Sequence, residues 1–321
     1  FWLKPSKLGH WPRFRTQQQA AMAWRIMALQ LLGFPLVWFA MLWMQRDQLI
    51  YHPSPYAQPA DTSSLPEDLG LEELRFETED GNQTAFLLRN RDSEVRRVYL
   101  VFGGNAMLAL DWLNVLAPVV DGSMSDVAFV LVDYPGYGDS AGRPSQVSII
   151  RAGNGAASAA NEALFGGAMD EVDYGALGHS IGCAAALHVA ARLRGSSLAL
   201  RHVVLSAPFT SIAEQARDMF PPLKVLPLWL LSLVLFDHRW DNLATAELLA
   251  GKSAPRIDVI HGSLDTMIRE AHGRGLTAHF KALGFSTAFA SAKAGHNDLL
   301  GTRRYRRWLR SALERSAGTK A

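Results

Sequence analysis

The sequence predicts an α/β fold in which a mainly parallel, eight-stranded sheet is flanked by helices. Short apolar runs alternate with longer segments of helical character from about residue 106 onward, an order typical of parallel sheets. The first runs are more polar than the later ones, which favours an antiparallel pair at one edge. With 321 residues, the chain is long enough for one large domain and an extension.

The N-terminal residues differ in character from the rest. Residues 1–25 form a basic segment, and residues 26–44 contain no charged side chain and only Gln30 as a strongly polar one. About 19 residues of helix extend over roughly 28 Å, enough to cross a bilayer. Tryptophans flank or line this segment, as at membrane interfaces. We therefore predict a transmembrane helix at residues 26–44 and a linker at residues 45–70.

A cleaved signal peptide and a helix in the membrane plane are the alternatives for this segment. No Ala-x-Ala pattern follows Met44, which argues against cleavage, and the segment has no charged face, as an in-plane helix would. Basic residues precede the segment without acidic partners, whereas Arg46 is balanced by Asp47. This asymmetry predicts a cytoplasmic N terminus and a main domain on the far, periplasmic or lumenal, side.

Apolar runs then define the strands of the main domain, which we place at residues 71–315 with a tail at 316–321. A stretch of small residues at 153–160 is interpreted as a helix that packs closely against the sheet. The predicted strands are residues 73–78, 84–88, 97–102, 127–132, 174–178, 202–206, 256–261 and 286–291.

The third predicted strand runs into Gly103, Gly104 and Asn105. A tetrahedral intermediate of acyl transfer needs two N–H donors for its negatively charged oxygen. A double glycine between a strand and a helix suits such an oxyanion loop, although an ordinary turn is the alternative. We predict the backbone N–H of Asn105 as one donor, and that of Ile181, which follows the candidate nucleophile described next, as the other.

Residues 178–182, Gly-His-Ser-Ile-Gly, connect the fifth predicted strand to an alanine-rich helical segment. In that setting the pattern is typical of a nucleophile elbow, a sharp turn that lifts a serine hydroxyl above the sheet. The glycines leave room for the backbone. We predict that Ser180 is a nucleophile; the alternative is an ordinary helix N-cap.

A serine attacks a carbonyl at neutral pH only when a base removes its proton and a carboxylate orients that base. Asp265 follows the seventh predicted strand, and His296 follows the eighth. Serine, aspartate and histidine in this chain order, each at a strand end, are typical of one class of hydrolases. We predict that Asp265 is the orienting acid and His296 the base, with Asp298 or Asp258 as alternative acids.

The connection between the sixth and seventh strands, about 50 residues, is longer than usual. Residues 220–236 within it are strongly apolar, and we predict a cap or lid at residues 209–250. Trp229, Leu233 and Phe236 are candidates for binding a hydrophobic substrate. Two interpretations stay open: a buried lid helix, or a lid that lines an acyl pocket and faces a bilayer.

Other classes of function find little support. No His-Glu-x-x-His pattern is present, and the single cysteine, Cys183, excludes a cysteine-rich zinc site. A net charge of only +2 argues against nucleic acid as a partner. Residues 303–310 are rich in arginine, which indicates a solvated helix face or, alternatively, contact with anionic lipid headgroups. We predict no cofactor and no metal, and leave protein partners open.

These motifs resemble those of the membrane-tethered α/β-hydrolase-domain group of α/β-hydrolases. The resemblance covers roughly residues 50–312, with one departure at Gly103, where such proteins often carry a histidine. It implies the α/β-hydrolase fold and hydrolysis of lipids or protein-bound acyl thioesters. The matching segments are Tyr-His-Pro-Ser-Pro at 51–55, Gly-Asn-Ala at 104–106, Asp-Tyr-Pro-Gly-Tyr-Gly at 133–138, the elbow at 178–182, Ser-Ala-Pro-Phe-Thr-Ser at 206–211, His-Gly-Ser-Leu-Asp at 261–265 and Gly-His-Asn-Asp at 295–298.

The sequence as a whole predicts a membrane-anchored serine hydrolase that cleaves an ester or thioester of an acyl chain or lipid through an acyl-enzyme. The alternative is a catalytically silent, hydrolase-like membrane scaffold or binding protein. The candidate serine, aspartate and histidine favour the enzyme.

Overall fold

A central sheet of eight strands organises the part of the chain that the structure describes. This computed structural model describes residues 43–58, 65–120, 124–168, 172–225 and 227–317, together with residues 22, 25 and 41. The chain divides into two compact units, Phe1–Arg46 and Asp47–Ala321. The second unit contains the sheet, whose strands lie in the order β1-β2-β4-β3-β5-β6-β7-β8.

The direction of the strands matches the predicted sheet. β1 pairs with β2, and β2 with β4, in antiparallel register, whereas β3 to β8 are parallel. The parallel strands β3 and β4 are buried along their whole length, as apolar runs between two layers of helices should be. The strands are β1 Leu69–Thr78, β2 Gly81–Asn90, β3 Arg97–Phe102, β4 Val127–Val132, β5 Asp173–His179, β6 Leu200–Ser206, β7 Arg256–Gly262 and β8 Thr287–Ala292.

Helices cover both faces of this sheet, and two clusters of buried apolar side chains fill the space between the layers. Short 3₁₀ turns at Ala109–Trp112, Pro221–Val225 and Phe236–His238 join some of them. The α-helices are α1 Leu113–Leu116, α2 Gln146–Phe165, α3 Ile181–Leu193, α4 Ile212–Met219, α5 Leu228–Val234, α6 Asn242–Leu249, α7 Glu270–Ala282 and α8 Arg303–Ala317.

The small-residue stretch at 153–160 lies within α2, as the sequence predicts. A Cβ on Gly153 would lie 2.7 Å from Cγ2 of Val189 and 3.0 Å from Cζ of Phe102. The missing side chain therefore lets α2 approach α3 and β3 closely.

The connection between β6 and β7 is part cap and part core. Its final portion is core, because Trp240 and α6 are packed into the main apolar cluster. The portion before it, which includes α5, turns many apolar side chains outward; Val225 is 84% exposed. The cap predicted at residues 209–250 is thus exposed chiefly between α4 and α5.

The predicted membrane span at residues 26–44 lies outside the described residues, apart from residues 41, 43 and 44. Among the described residues, no helix is both long and apolar enough to cross a bilayer.

Residues at the start of the second unit are bonded to the end of the cap. Nε2 of His238 lies 2.8 Å from Oδ1 of Asp47, and Nδ1 lies 3.3 Å from the hydroxyl of Tyr51. The indole N–H of Trp240 donates to the same hydroxyl at 2.8 Å. This network, in which Tyr51, His238 and Trp240 are buried and Asp47 is exposed, fixes the segment that leads into the sheet.

A second buried network lies near the amino ends of the parallel strands. The carboxylate of Asp258 lies 3.1 Å from Nε2 of His202 and accepts hydrogen bonds from Arg256 and from Arg315 of α8. Burial alone would raise the pKa of Asp258, but the hydrogen bonds from His202 and Arg256 lower it to about 2. Asp258 therefore acts as an ionised structural group that holds α8 against the sheet.

Candidate active site

Ser180 lies in a strained turn at the carboxyl end of β5. The strand ends at His179 and α3 begins at Ile181, so Ser180 is the single residue between them. Its backbone adopts φ 56° and ψ −122°, which costs about 1–3 kcal/mol for a residue other than glycine. The Ser180 N–H donates to the carbonyl of Ser206 at 2.9 Å. This strand-turn-helix geometry is that of a nucleophile elbow.

Two glycines allow the elbow to form. A Cβ on Gly182 would overlap the carbonyl oxygen of Phe102 and lie 2.6 Å from that of Gly103. A Cβ on Gly178 would overlap the carbonyl oxygen of Gly182. Because the obstructing atoms belong to the backbone, no side-chain rotation can relieve the clash. Close packing of α3 therefore requires Gly182 where the helix meets β3 and Gly178 where it meets β5.

Asp265 and His296 form a buried pair at the same edge of the sheet. Nδ1 of His296 lies 2.7 Å from Oδ2 of Asp265. The other carboxylate oxygen accepts the backbone N–H groups of Met267 and Ile268 at 2.9 and 2.8 Å. The pair comes together because β7 and β8 are parallel neighbours whose carboxyl ends meet.

The charge on Asp265 determines which ring nitrogen of His296 carries a proton. Burial alone would raise the pKa of Asp265, but hydrogen bonds from His261 and His296 outweigh it and hold the pKa well below its usual range. An ionised carboxylate only accepts hydrogen bonds, so Nδ1 of His296 carries the proton and Nε2 retains a free lone pair. Nε2 is therefore the nitrogen able to take a proton from a nucleophile.

His179 lies next to both Ser180 and His296. The rings of His179 and His296 lie 4.9 Å apart between centroids, and His179 directly precedes Ser180. Within the described part of the chain, no hydrogen bond joins Ser180 Oγ to His296. Such bonds are often loose before substrate binds and tighten in the complex.

His179 is itself buried and neutral. Burial lowers its pKa to about 3, and the neighbouring His296 acts in the same direction. At neutral pH a positive charge on His296 therefore meets no like charge on the adjacent ring.

The two alternative acids lie elsewhere. Asp298 is exposed, and Asp258 belongs to the network with His202 near the opposite ends of the strands. Among the described residues, Asp265 is the acid in contact with His296.

The loop after β3 lies against the elbow. A Cβ on Gly104 would lie 3.7 Å from Cβ of Ser180 and 3.5 Å from Cδ2 of His179. Asn105 is the next residue of this loop. Ile181 is the first residue of α3, where the N–H has no partner within the helix. Both predicted oxyanion donors therefore belong to segments that border Ser180.

Hydrogen bonds hold the oxyanion loop in place. The Gly104 carbonyl accepts the N–H of Met107 at 3.1 Å, which orients the peptide that carries the Asn105 N–H. The Asn105 carbonyl accepts the N–H of His52 at 3.0 Å and the hydroxyl of Tyr137. The loop is thus immobilised by segments distant in the chain.

Three residues that support the site were not predicted from the sequence: His52, Tyr137 and His261. His261 is buried beneath the acid, with Nε2 at 2.8 Å from the Ile268 carbonyl and 3.5 Å from Asp265. Each lies in a motif that carries the family resemblance, and this was the signal available. Their roles depend on contacts between distant segments, which a motif does not specify.

Two of the three predicted substrate-binding residues of the cap, Trp229 and Leu233, lie at the surface. Trp229 is 66% exposed and Leu233 is 50% exposed. The side chain of Phe236 lies outside the described part of the structure. Leu231, on the same helix, is buried, so α5 packs through one side and presents Trp229 and Leu233 to solvent.

In the described part of the chain, no group of three or more histidine, cysteine, aspartate or glutamate side chains is placed to hold a metal ion. Cys183 is buried below the elbow, and its thiol donates to the carbonyls of Gly178 and Ser206 at 3.3 and 3.2 Å. Burial raises the pKa of the Cys183 thiol far above its usual value, so it is not a competing nucleophile.

Sequence comparison gives relatives of unassigned activity. No family model matches the chain. It is 31% identical over 227 residues to an uncharacterized protein of Mycobacterium tuberculosis strain H37Rv, a match that covers 70% of this chain and 72% of that protein. An uncharacterized protein of strain CDC 1551 matches to the same extent.

Solved structures with a similar fold include esterases. An esterase of Pyrococcus furiosus has a TM-score of 0.62 at 13% identity, covering 84% of this chain and 98% of its own. Carboxyl esterase 2 of Tuber melanosporum has a TM-score of 0.59 at 17% identity, with 87% and 95% covered. An alpha-beta hydrolase of Vibrio vulnificus has a TM-score of 0.59 at 16% identity, with 75% and 81% covered. At these identities the similarity establishes the fold.

Proposed function

We propose that this chain, which belongs to one family with the mycobacterial protein, is a serine hydrolase of the α/β-hydrolase superfamily, whose fold it shares. Its reaction is cleavage of an ester or thioester of an acyl chain through an acyl-enzyme intermediate. The observation that carries the proposal is the buried Asp265–His296 pair, 2.7 Å apart, beside the strained turn of Ser180.

In the first half of the proposed reaction, Nε2 of His296 removes the proton of Ser180 Oγ as Oγ attacks the substrate carbonyl carbon. The backbone N–H groups of Asn105 and Ile181 bind the resulting oxyanion. Asp265 stabilises the positive charge that forms on His296. The imidazolium then protonates the leaving alcohol or thiol, and an acyl ester of Ser180 remains.

In the second half, the same groups act on water. Nε2 of His296 accepts a proton from a water molecule that attacks the acyl-Ser180 carbonyl, and the oxyanion occupies the same two donors. Collapse of this intermediate returns the proton to Oγ and releases the carboxylic acid. Besides the substrate, the proposed reaction uses only water and the chain's own residues.

A fluorophosphonate probe tests this proposal, because it reacts with a serine only when that serine is activated. We expect one modification of the folded protein, on the peptide that contains Ser180, and none in the Ser180→Ala variant. Heat-unfolded protein is the control for nonspecific labelling. Folded wild-type protein that stays unlabelled would instead support the silent scaffold.

The apolar surface of the cap supports an acyl substrate, because Trp229 and Leu233 extend into solvent where an acyl chain could cover them. Each methylene removed from water contributes about 0.8 kcal/mol, or about a fourfold gain in rate. We expect kcat/KM for p-nitrophenyl esters to rise with acyl length until the binding surface is full.

Changing Trp229 and Leu233 together to glutamine should flatten that profile while acetyl ester cleavage changes little. Leu248→Gln is the matched control, because Leu248 is an exposed apolar residue, 64% accessible, on α6. A profile that is already flat in the wild type would indicate a small polar ester as substrate.

We also propose that residues 26–44 form a single membrane span with the hydrolase unit on the far side of the membrane. The uncharged apolar stretch and the basic segment before it support this proposal. The full-length chain should stay with membranes at high salt and alkaline pH, where charge attraction alone fails.

The matched control for this experiment is the chain without residues 1–45. It keeps Asp47, whose carbonyl accepts the N–H of Tyr51 at 2.8 Å and whose side chain contacts His238. This variant should be released in folded form and remain active. Alkaline release of the full-length chain would support a peripheral helix.

A further inference from the structure

A charged cleft lies between the cap and the loop that carries Asp265. Its volume is about 470 Å³, within the usual range of small-molecule sites. The lining residues come from α4 and Thr210 just before it, from the 3₁₀ turn after α4, and from the beginning of α7 with Arg269 just before it. They are Thr210, Glu214, Arg217, Asp218, Lys224, Arg269, Ala271 and His272.

Positive groups outnumber the carboxylates that face them. Arg217, Lys224 and Arg269 are positive, and Lys224 Nζ and Arg269 Nε lie 3.8 and 3.7 Å from the carboxylate of Asp218. Nε2 of His272 lies 3.4 Å from the same carboxylate, and burial lowers the pKa of this histidine. All three distances exceed that of an ordinary hydrogen bond between N–H and oxygen. The other acid, Glu214, is engaged by the hydroxyl of Thr210. The cleft therefore holds cationic donors whose hydrogen-bonding capacity is not used.

His272 provides an independent sign of a missing ligand. It is only 8% exposed, and its Nε2 has no hydrogen bond among the described residues. Nδ1 of His272 accepts the backbone N–H of Thr210 at 3.3 Å and lies 2.8 Å from the Thr210 hydroxyl. In the neutral ring the proton is then on Nε2, which faces the cleft as a donor that an anion could accept from.

Arg217 also has a buried donor without a hydrogen-bond acceptor. Its Nη2 donates to the carbonyl of Lys224 at 2.8 Å, while its buried Nε has no hydrogen bond among the described residues. A buried donor without a partner costs about 1–3 kcal/mol. The unpaired Arg217 Nε and His272 Nε2 beside one cleft are explained if a ligand with several acceptor oxygens accepts hydrogen bonds from both.

The cleft is built from the loops that carry the active site. Arg269 directly follows Ile268, whose N–H donates to Asp265, and four residues of chain separate Asp265 from Arg269 by at most about 14 Å. The side chain of Gln215 donates to the Met267 carbonyl at 2.6 Å, which joins α4 to the same loop. The cleft is thus connected to the loop that carries Asp265, at the carboxyl edge of the sheet.

We infer that this cleft binds the phosphate group of an amphiphilic acyl ester whose carbonyl is attacked by Ser180. A phosphate offers several acceptor oxygens and negative charge to Arg217, Lys224, Arg269 and His272. In an acylglycerol phosphate, the phosphate and the ester carbonyl are only a few bonds apart. The inference rests on the proposed function and specifies its substrate: an anionic lipid ester, with the acyl chain against the apolar cap.

A matched pair of substrates tests the inference: 1-oleoylglycerol and 1-oleoylglycerol 3-phosphate share the acyl chain and the scissile ester. We expect kcat/KM to be at least tenfold higher for the phosphate. In the double variant Lys224→Gln and Arg269→Gln, this ratio should fall to about one, while hydrolysis of 1-oleoylglycerol is unchanged. Equal rates for the two esters in the wild type would overturn the inference.

The control double variant is Arg274→Gln with Lys281→Gln, which removes the same charge from α7. The Arg274 and Arg269 side chains are similarly exposed, 59% and 57%, but Arg274 does not line the cleft. We expect this variant to keep the wild-type ratio. A ratio reduced equally in both double variants would assign the preference to general charge and overturn the inference.

Binding of phosphate compounds separates the remaining outcomes. Titration calorimetry should detect glycerol 3-phosphate in the wild type, and loss of binding in the Lys224 and Arg269 double variant. Binding of inorganic phosphate without any preference between the two esters would assign a free-anion site and overturn the substrate role. If 1-oleoylglycerol and short esters are not cleaved and Ser180 is not labelled, the proposed function fails, irrespective of phosphate binding.

Discussion

Replacement of the catalytic groups is expected to reduce ester hydrolysis by several orders of magnitude. Ser180→Ala and His296→Ala each remove a group that bonds or transfers a proton in the proposed reaction, so a loss of roughly four to six orders of magnitude is expected in kcat. Asp265→Asn removes the charge that stabilises the imidazolium and should cost about four orders. Because these residues act as a unit, double variants should lose little more than Ser180→Ala alone.

The measurement is kcat for a medium-chain p-nitrophenyl ester, with thermal unfolding to show that each variant is folded. Asp298→Asn is the matched control, since Asp298 is an exposed acid two residues after His296. We expect this variant to remain close to wild type. An Asp298→Asn enzyme as impaired as Asp265→Asn would show that the acid is wrongly assigned.

The second large effect is on stability rather than chemistry. Gly182→Ala would place a Cβ against the carbonyl oxygens of Phe102 and Gly103, so α3 and β3 must separate. We expect a loss of at least about 4 kcal/mol in the free energy of unfolding. At about 2–4 °C per kcal/mol for a unit of this size, Tm should fall by roughly 8–16 °C.

Gly275→Ala on α7 is the control for the same chemical change. Its Cβ would meet Cγ2 of Thr210 at an ordinary 3.9 Å, and alanine favours a helix over glycine by up to about 1 kcal/mol. We expect this variant to unfold at the wild-type temperature or above. A Gly182→Ala protein of unchanged Tm would show that α3 can shift away from β3 at little cost.

The parallel strands could be predicted because each is a short, uninterrupted apolar run. β3 and β4 begin and end at the predicted residues. The first two strands were predicted too short, since β1 and β2 each have ten residues. In β1 the neighbouring residues Glu72 and Glu73 are both exposed, which interrupts its apolar signal.

The candidate residues Ser180, Asp265 and His296 could be found because each follows a recognisable strand. The sequence offered several carboxylates near His296, and the contact at 2.7 Å in the structure distinguishes Asp265 from the others. The charged cleft was not predicted. Its donors come from α4, a 3₁₀ turn and α7, and no local pattern shows that these segments converge.

The buried network around Asp258 is separated from the loops in which substitutions would alter the candidate site. Four residues of extended chain, about 13 Å, separate Asp258 from the end of β7, and Asp265 lies beyond that end. Effects of substitutions more than about 7–10 Å apart, with no shared partners, usually add. Loops at the carboxyl edge can therefore exchange residues, and with them substrates, while the contacts of Asp258 with His202, Arg256 and Arg315 keep the scaffold intact. The division makes the protein a tolerant starting point for directed evolution.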